Sequence, residues 1–302
     1  MNRASKIILF VSSIVASAVL AVYGQNMNGT LNSGFYGSAL AVQTINTGFG
    51  NALGGNDSAG GSEWDAAYGT ISGGNLWLFL AGNSENNGNH LNVFVDGGSA
   101  NGQSTLNLPA TATMATMNGS VFSPAGGGEQ AFLASFCLDM NNYHGTLYTE
   151  EYTLSGPQTF TGGYVGALPE SSTGIAAGSD GGVSMLYLNN NNASTMGASG
   201  GAANQANMLA TSTGLELQIP LSAISYTGGS IYVLVDENGG GDNYLSNQFL
   251  PGLPVGYGNL ASPTFNFGTT PSQYFVVVPE PSSIALVVVG LLGAIGLIRR
   301  RK

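Results

Sequence analysis

Short apolar or alternating runs, punctuated by glycine and asparagine, restrict this chain to β structure. The runs cover residues 75–81, 90–95, 130–140, 146–154, 183–188, 215–221, 231–235 and 273–278. None carries apolar residues at helical spacing over a useful length. Glycine makes up 47 of 302 residues, and each one inside a helix would cost about 1 kcal/mol relative to alanine. Gly73-Gly74, Asn87-Gly88, Gly97-Gly98 and Asn238-Gly239 supply the positive φ that tight turns need. Strands of this length and spacing predict an all-β fold, a large jelly-roll-like β-sandwich over residues 25–278. No proline-rich linker divides that region. Residues 174–182 and 189–207 read as long surface loops.

The charges of this region are one-sided. All six basic residues (Arg3, Lys6, Arg299, Arg300, Arg301 and Lys302) lie outside it. Sixteen acidic residues less Glu280 leave fifteen, so residues 25–278 have a formal charge of −15, against −10 for the whole chain. Without a cation to answer a phosphate, nucleic-acid binding is excluded as a class, and nucleotide and anionic-lipid sites go with it. Ion pairs with Lys or Arg cannot hold the fold. The carboxylates must be neutralised by solvent cations, bound metal, N–H groups or protons. Charged residues amount to 7%, against roughly 25% in ordinary globular proteins, which suits an extracellular surface protein. The lone cysteine, Cys137, permits no intrachain disulfide and sits in an apolar run as a buried thiol.

The two ends carry routing information. Residues 1–24 read as a signal peptide: Arg3 and Lys6, an apolar core over 7–15, then small residues at Ala16, Ser17, Ala18, Ala21 and Gly24. Signal peptidase would cut before Gln25, or alternatively after Ala18. At the other end, Pro279 and Pro281 make a stiff extended spacer. The uncharged stretch 282–298 is 17 residues long, at the short end for a transmembrane helix. Arg299, Arg300, Arg301 and Lys302 would stay on the cytoplasmic side. Pro279-Glu280-Pro281, one apolar helix and a terminal arginine cluster together resemble the PEP-CTERM sorting signal of exopolysaccharide-producing Gram-negative bacteria. The resemblance implies an exosortase as partner, passage through the inner membrane, and delivery to the cell surface or the exopolysaccharide matrix. A plain tail anchor with a chance Pro-Glu-Pro is the other reading.

A looser resemblance runs through the middle. Glu63-Trp64-Asp65-Ala66-Ala67, the Val95-Asp96-Gly97-Gly98 turn and Gly214-Leu-Glu-Leu-Gln-Ile-Pro-Leu221 are similar to DOMON-like and family 9 carbohydrate-binding β-sandwiches. Tyr244-Leu-Ser-Asn-Gln-Phe-Leu-Pro-Gly252 looks like a feature of PEP-CTERM proteins of this type.

Site candidates are few. Asp236, Asn238 and Asp242, in Asp236-Glu-Asn-Gly-Gly-Gly-Asp-Asn243, offer oxygen donors on a loop, a chemistry that suits calcium. The spacing is not that of an EF-hand, and the bland reading is a solvated hairpin turn after strand 231–235. Asn56-Asp57 with Glu63 and Asp65 forms a second oxygen-rich group. Trp64 is the candidate platform for a sugar ring, while Trp77, in an unbroken apolar run, reads as core. Tyr36, Tyr164, Tyr244 and Tyr257 are further platforms, with packing the alternative for each. His90 and His144 are too few and too isolated to suggest a metal centre, and both border turn residues. No catalytic motif occurs, so catalytic residues are expected to be none. The expectation is an exported structural or adhesive protein, with a carbohydrate-binding module as the rival and a glycan hydrolase behind it.

Overall fold

Two antiparallel sheets account for most of the regular structure. The computed structural model describes residues 25–49, 61–122, 131–169, 182–189, 198–268 and 273–279. Its strands are β1 (Ala41–Val42), β2 (Glu63–Ser72), β3 (Asn75–Asn83), β4 (Asn87–Asp96), β5 (Phe136–Tyr143) and β6 (Thr146–Leu154), followed by β7 (Phe160–Pro169), β8 (Ser184–Tyr187), β9 (Gly214–Pro220), β10 (Ile231–Asn238), β11 (Leu245–Leu250) and β12 (Phe275–Val277). The smaller sheet has the order β1-β2-β3-β9-β8, the larger β11-β10-β4-β5-β6-β7 with β12 also on β10.

Turn chemistry explains the hairpins. Gly73 and Gly74 both have positive φ, at 59° and 79°, and Ser72 pairs with Asn75 across them. This is the two-residue turn whose twist matches the flanking strands. His144 and Gly145 repeat the device between β5 and β6, at φ 50° and 74°.

Strict alternation then builds the layers. In β4, Leu91, Val93 and Val95 face the smaller sheet. They pack there with Leu138 and Met140 of β5, Val233 and Val235 of β10, Leu76, Leu78 and Leu80 of β3, and Leu217 and Ile219 of β9. One apolar core shared by two sheets makes the fold sandwich-like. Much of the other face of the larger sheet is covered as well. Phe94, Cys137 and Leu234 there are covered by Leu106, Met114, Met117, Phe122, Phe249 and Phe265, residues that lie largely in the long connections. Cys137 is buried and unbridged.

Several strands depart from the runs read in the sequence. β1, β2, β7 and β11 are additional, and β10 continues to Asn238 where a turn is expected after residue 235. The extension occurs because Asp236, Glu237 and Asn238 pair with Asn92, Leu91 and His90 of β4. The chain divides into the unit Met27–Val278 and a second unit made of its two ends. The expected signal helix and C-terminal membrane helix lie outside the described residues, as do residues 174–181 and 190–197 of the two expected surface loops. Among the described residues no helix is long and apolar enough to cross a membrane.

Candidate functional site

The outer face of the larger sheet carries a row of polar side chains set by strand register. Asp236 of β10 lies opposite Asn92 of β4, Asn92 opposite Asp139 of β5, Asp139 opposite Glu150 of β6, and Glu150 opposite Tyr164 of β7. Two residues along, Asn238, His90, Asn141 and Tyr148 form a parallel row. Residues two apart share a face, so the rows are neighbours, continuous with the apolar patch around Phe94.

The loop 239–244 closes over the rows. Asn238 Oδ1 accepts hydrogen bonds from the backbone N–H of Gly239 and Tyr244, at 2.9 and 2.8 Å. Asp242 adopts a positive φ of 52°, and Thr116 Oγ donates to its carbonyl at 2.7 Å. The Asp242 carboxyl is thereby turned inward and fully buried. Asn92 Nδ2 donates to Asp242 Oδ1 at 2.9 Å and to Asp236 Oδ1 at 3.1 Å. His90 Nδ1 stands 2.7 Å from Asp139 Oδ1 and 3.4 Å from Asp242 Oδ2. Its Nε2 meets the Asn141 amide at 2.5 Å and the Gly241 N–H at 3.2 Å.

Burial dominates the electrostatics. It lifts the Asp139 carboxyl well above the usual carboxylate range, with Glu150 adding. Burial lifts Asp236 likewise, against the Asn92 hydrogen bond that favours its charged form. Asp242 is pushed up to about 8 by burial and then by Asp139. Burial lowers the His90 imidazole despite the facing carboxylates Asp242 and Glu150.

This concentration of acid is part of a wider pattern. Eleven of the domain's acidic residues are described; ten are buried and Glu150 is half-buried. Several are met by donors. Glu216 accepts from the N–H of Asn28 and Gly29 and from the Tyr36 hydroxyl. Asp96 accepts from Gly98 and Leu133 N–H, and Glu150 from Thr113 N–H and Oγ. The central group is served less well: Asp236 Oδ2, Asp242 Oδ2, Asn92 Oδ1 and Asn141 Oδ1 are buried without a hydrogen-bond partner.

A cleft of about 390 Å³ opens beside the group, lined by His90, Asp139, Asn141, Thr113 and Glu150 and by Tyr143, Tyr148 and Tyr164. The three tyrosines are exposed.

The sequence candidates fare unevenly. Asp236 and Asp242 are brought together, while Asn238 spends its carbonyl oxygen on the turn backbone. The solvated-turn reading of residues 236–243 is corrected, because Asp236, Glu237, Asn238 and Asp242 are wholly buried. His90, isolated in sequence, joins them, and Asp139 and Asn92 enter unannounced. Their signal was present: one polar residue at alternate positions of the otherwise apolar strands His90-Leu-Asn-Val-Phe-Val95 and Cys137-Leu-Asp-Met140. Trp64 is corrected from sugar platform to core residue. It is 1% exposed, packs in the inter-sheet core, and its Nε1 donates to Glu237 at 2.8 Å. Tyr36 is likewise buried, whereas Tyr164, Tyr244 and Tyr257 are exposed. Glu63 and Asp65 are buried, and Asn56-Asp57 lies outside the described residues.

Of the routing signals only Pro279 is described; Glu280, Pro281, Arg299, Arg300 and Arg301 lie outside. Strand β12 ends at Val277 and Val278 is exposed, so the chain leaves the sheet where the tail begins. The family model of the PEP-CTERM protein-sorting motif matches residues 277–302. The chain carries a PEP-CTERM sorting signal. Such a signal marks an exported protein that an exosortase processes. No curated protein and no solved structure matches the chain.

Proposed function

We propose that this PEP-CTERM protein is a non-catalytic component of the cell surface or exopolysaccharide matrix, with a structural or adhesive role. Signal peptidase removes residues 1–24, the apolar stretch 282–298 holds the chain in the inner membrane, and the exosortase acts at Pro279-Glu280-Pro281. The carrying observation is the sorting motif at 277–302, joined to a sandwich whose last strand ends beside it. The test is the mature C-terminus, read by mass spectrometry from cells with and without exosortase. The tail should be missing only where exosortase is present. Lys302 retained in wild-type cells would reduce the signal to a plain membrane anchor.

A carbohydrate-binding role is the second reading, favoured by the cleft beside Asp139 and Glu150 with its exposed Tyr143, Tyr148 and Tyr164. Aromatic faces and a few convergent polar groups suit sugar rings. Replacing the three tyrosines with alanine should abolish retention on the producer's polysaccharide while leaving the melting temperature unchanged. Undiminished retention would end this reading.

A further inference from the structure

We propose that His90, Asp139 and Asp242 form a binding site for a first-row divalent metal ion of the zinc or manganese class. One ligand atom from each residue lies within 4.8 Å of the others, and all three side chains are buried. They come from three separate places, β4, β5 and the loop after β10, so the fold itself assembles them. Asp242 Oδ2, which faces the imidazole, has no hydrogen-bond partner, and neither do Asp236 Oδ2 and Asn92 Oδ1 behind it. Burying anionic oxygen in this way is costly unless a proton or a cation answers it. No lysine or arginine exists between residues 25 and 278 to serve as that cation.

The donor types choose the ion. Calcium and magnesium take oxygen ligands almost throughout. An imidazole nitrogen between two carboxylates suits zinc and its first-row neighbours, with a further position left open. His90 and Asp139 both line the cleft, which supplies an entry path.

A supporting shell is in place. Asn92 Nδ2 holds Asp242 Oδ1 at 2.9 Å and so leaves Oδ2 for the ion. The Asn141 amide stands 2.5 Å from His90 Nε2, while its Oδ1 has no partner. Turning that amide over places the oxygen where Nε2–H donates to it, the arrangement metal-bound histidines use. Nδ1 is then unprotonated and aimed at Asp139 and Asp242. The rival arrangement keeps Nε2 as acceptor for the Gly241 N–H at 3.2 Å. Nδ1–H then donates to Asp139, and no ion is required.

The experiment separates the two. The purified full chain is stripped with chelator and titrated with zinc, manganese and calcium chlorides in separate arms, with bound metal counted and affinity read by calorimetry. The expected result is one zinc or manganese ion per chain. Asp242→Asn and His90→Gln should each weaken binding about tenfold or more, and Asn141→Ala roughly 10–100-fold. His144→Ala, at an exposed turn, should bind as wild type. X-ray absorption of the zinc-loaded wild type needs no variant and should show imidazole nitrogen at about 2.0–2.1 Å with oxygen donors. Absence of stoichiometric zinc or manganese, binding of calcium alone, an oxygen-only shell, or full affinity in Asp242→Asn would each overturn the assignment.

Discussion

Replacing Glu237 with glutamine tests how this sandwich tolerates an acid with no basic residue to answer it. Glu237 is wholly buried. Its Oε1 accepts from Ser84 Oγ at 2.5 Å and its Oε2 from Trp64 Nε1 at 2.8 Å. Those bonds favour the charged form, yet burial outweighs them and pushes the carboxyl up to about 8 from the ordinary 4.5, with Glu85 adding. The folded chain therefore holds a proton on Glu237 through a pH range where the unfolded chain has released it. The more protonated state here is the folded one, so stability is complete below about pH 4.5 and falls as pH rises towards 8. At 1.36 kcal/mol per pH unit, the interval amounts to about 5 kcal/mol, comparable to the whole stability of a small domain. Glutamine keeps the shape, presents an oxygen to Trp64 and cannot titrate. Urea unfolding of wild type and Glu237→Gln, both in chelator, should give stabilities that diverge by about 5 kcal/mol between pH 4 and pH 9, the variant being relatively more stable at high pH. Other raised carboxyls tilt both curves alike, so the difference isolates this residue. Parallel curves would refute the reasoning.

Three further outcomes follow from packing. Trp64→Ala removes a core ring and the donor to Glu237, and should cost about 3–5 kcal/mol in urea unfolding, whereas an exposed sugar platform would cost almost nothing. Gly214→Ala would drive a Cβ to 2.0 Å from the Leu80 carbonyl oxygen, where β3 and β9 pair; a loss of about 1–3 kcal/mol is expected from overpacking alone. The Cys137 thiol, buried and pushed well above its ordinary range by burial and by Asp139, Glu150 and Asp242, should stay unlabelled by thiol reagents until denaturant unfolds the chain.

The strands that were legible are those with both an apolar face and an explicit turn. β6 spans Thr146–Leu154 as its alternation predicts, and β3 starts at Asn75 because Gly73-Gly74 dictates it. β7 was hidden for the opposite reason: Phe160-Thr-Gly-Gly-Tyr-Val-Gly-Ala-Leu-Pro169 is an edge strand with little burial, so it has no face to mark with apolar residues. β11 was hidden because Ser246, Asn247 and Gln248 are polar yet buried. They are satisfied by partners such as the Tyr257 carbonyl and Gln43 that lie outside the local sequence.

The same distinction governs the site. Glycine-rich Asp236-Glu-Asn-Gly-Gly-Gly-Asp-Asn243 has the composition of a solvated turn, and only pairing with β4 carries its first three residues inside. What composition did establish was the constraint: fifteen acids and no cation. Burial then sorts these acids by what meets them. Glu216, Asp96 and Glu150 receive backbone N–H or hydroxyl donors from neighbouring segments, and so tie those segments to the sheets. Asp139, Asp236 and Asp242 instead share one imidazole and one asparagine amide, and leave oxygens over. Glu216, Asp96 and Glu150 show that this chain can supply donors where an acid serves as a structural acceptor. Leftover oxygen beside a histidine, at the edge of an open cleft, is where a metal ion would complete the count.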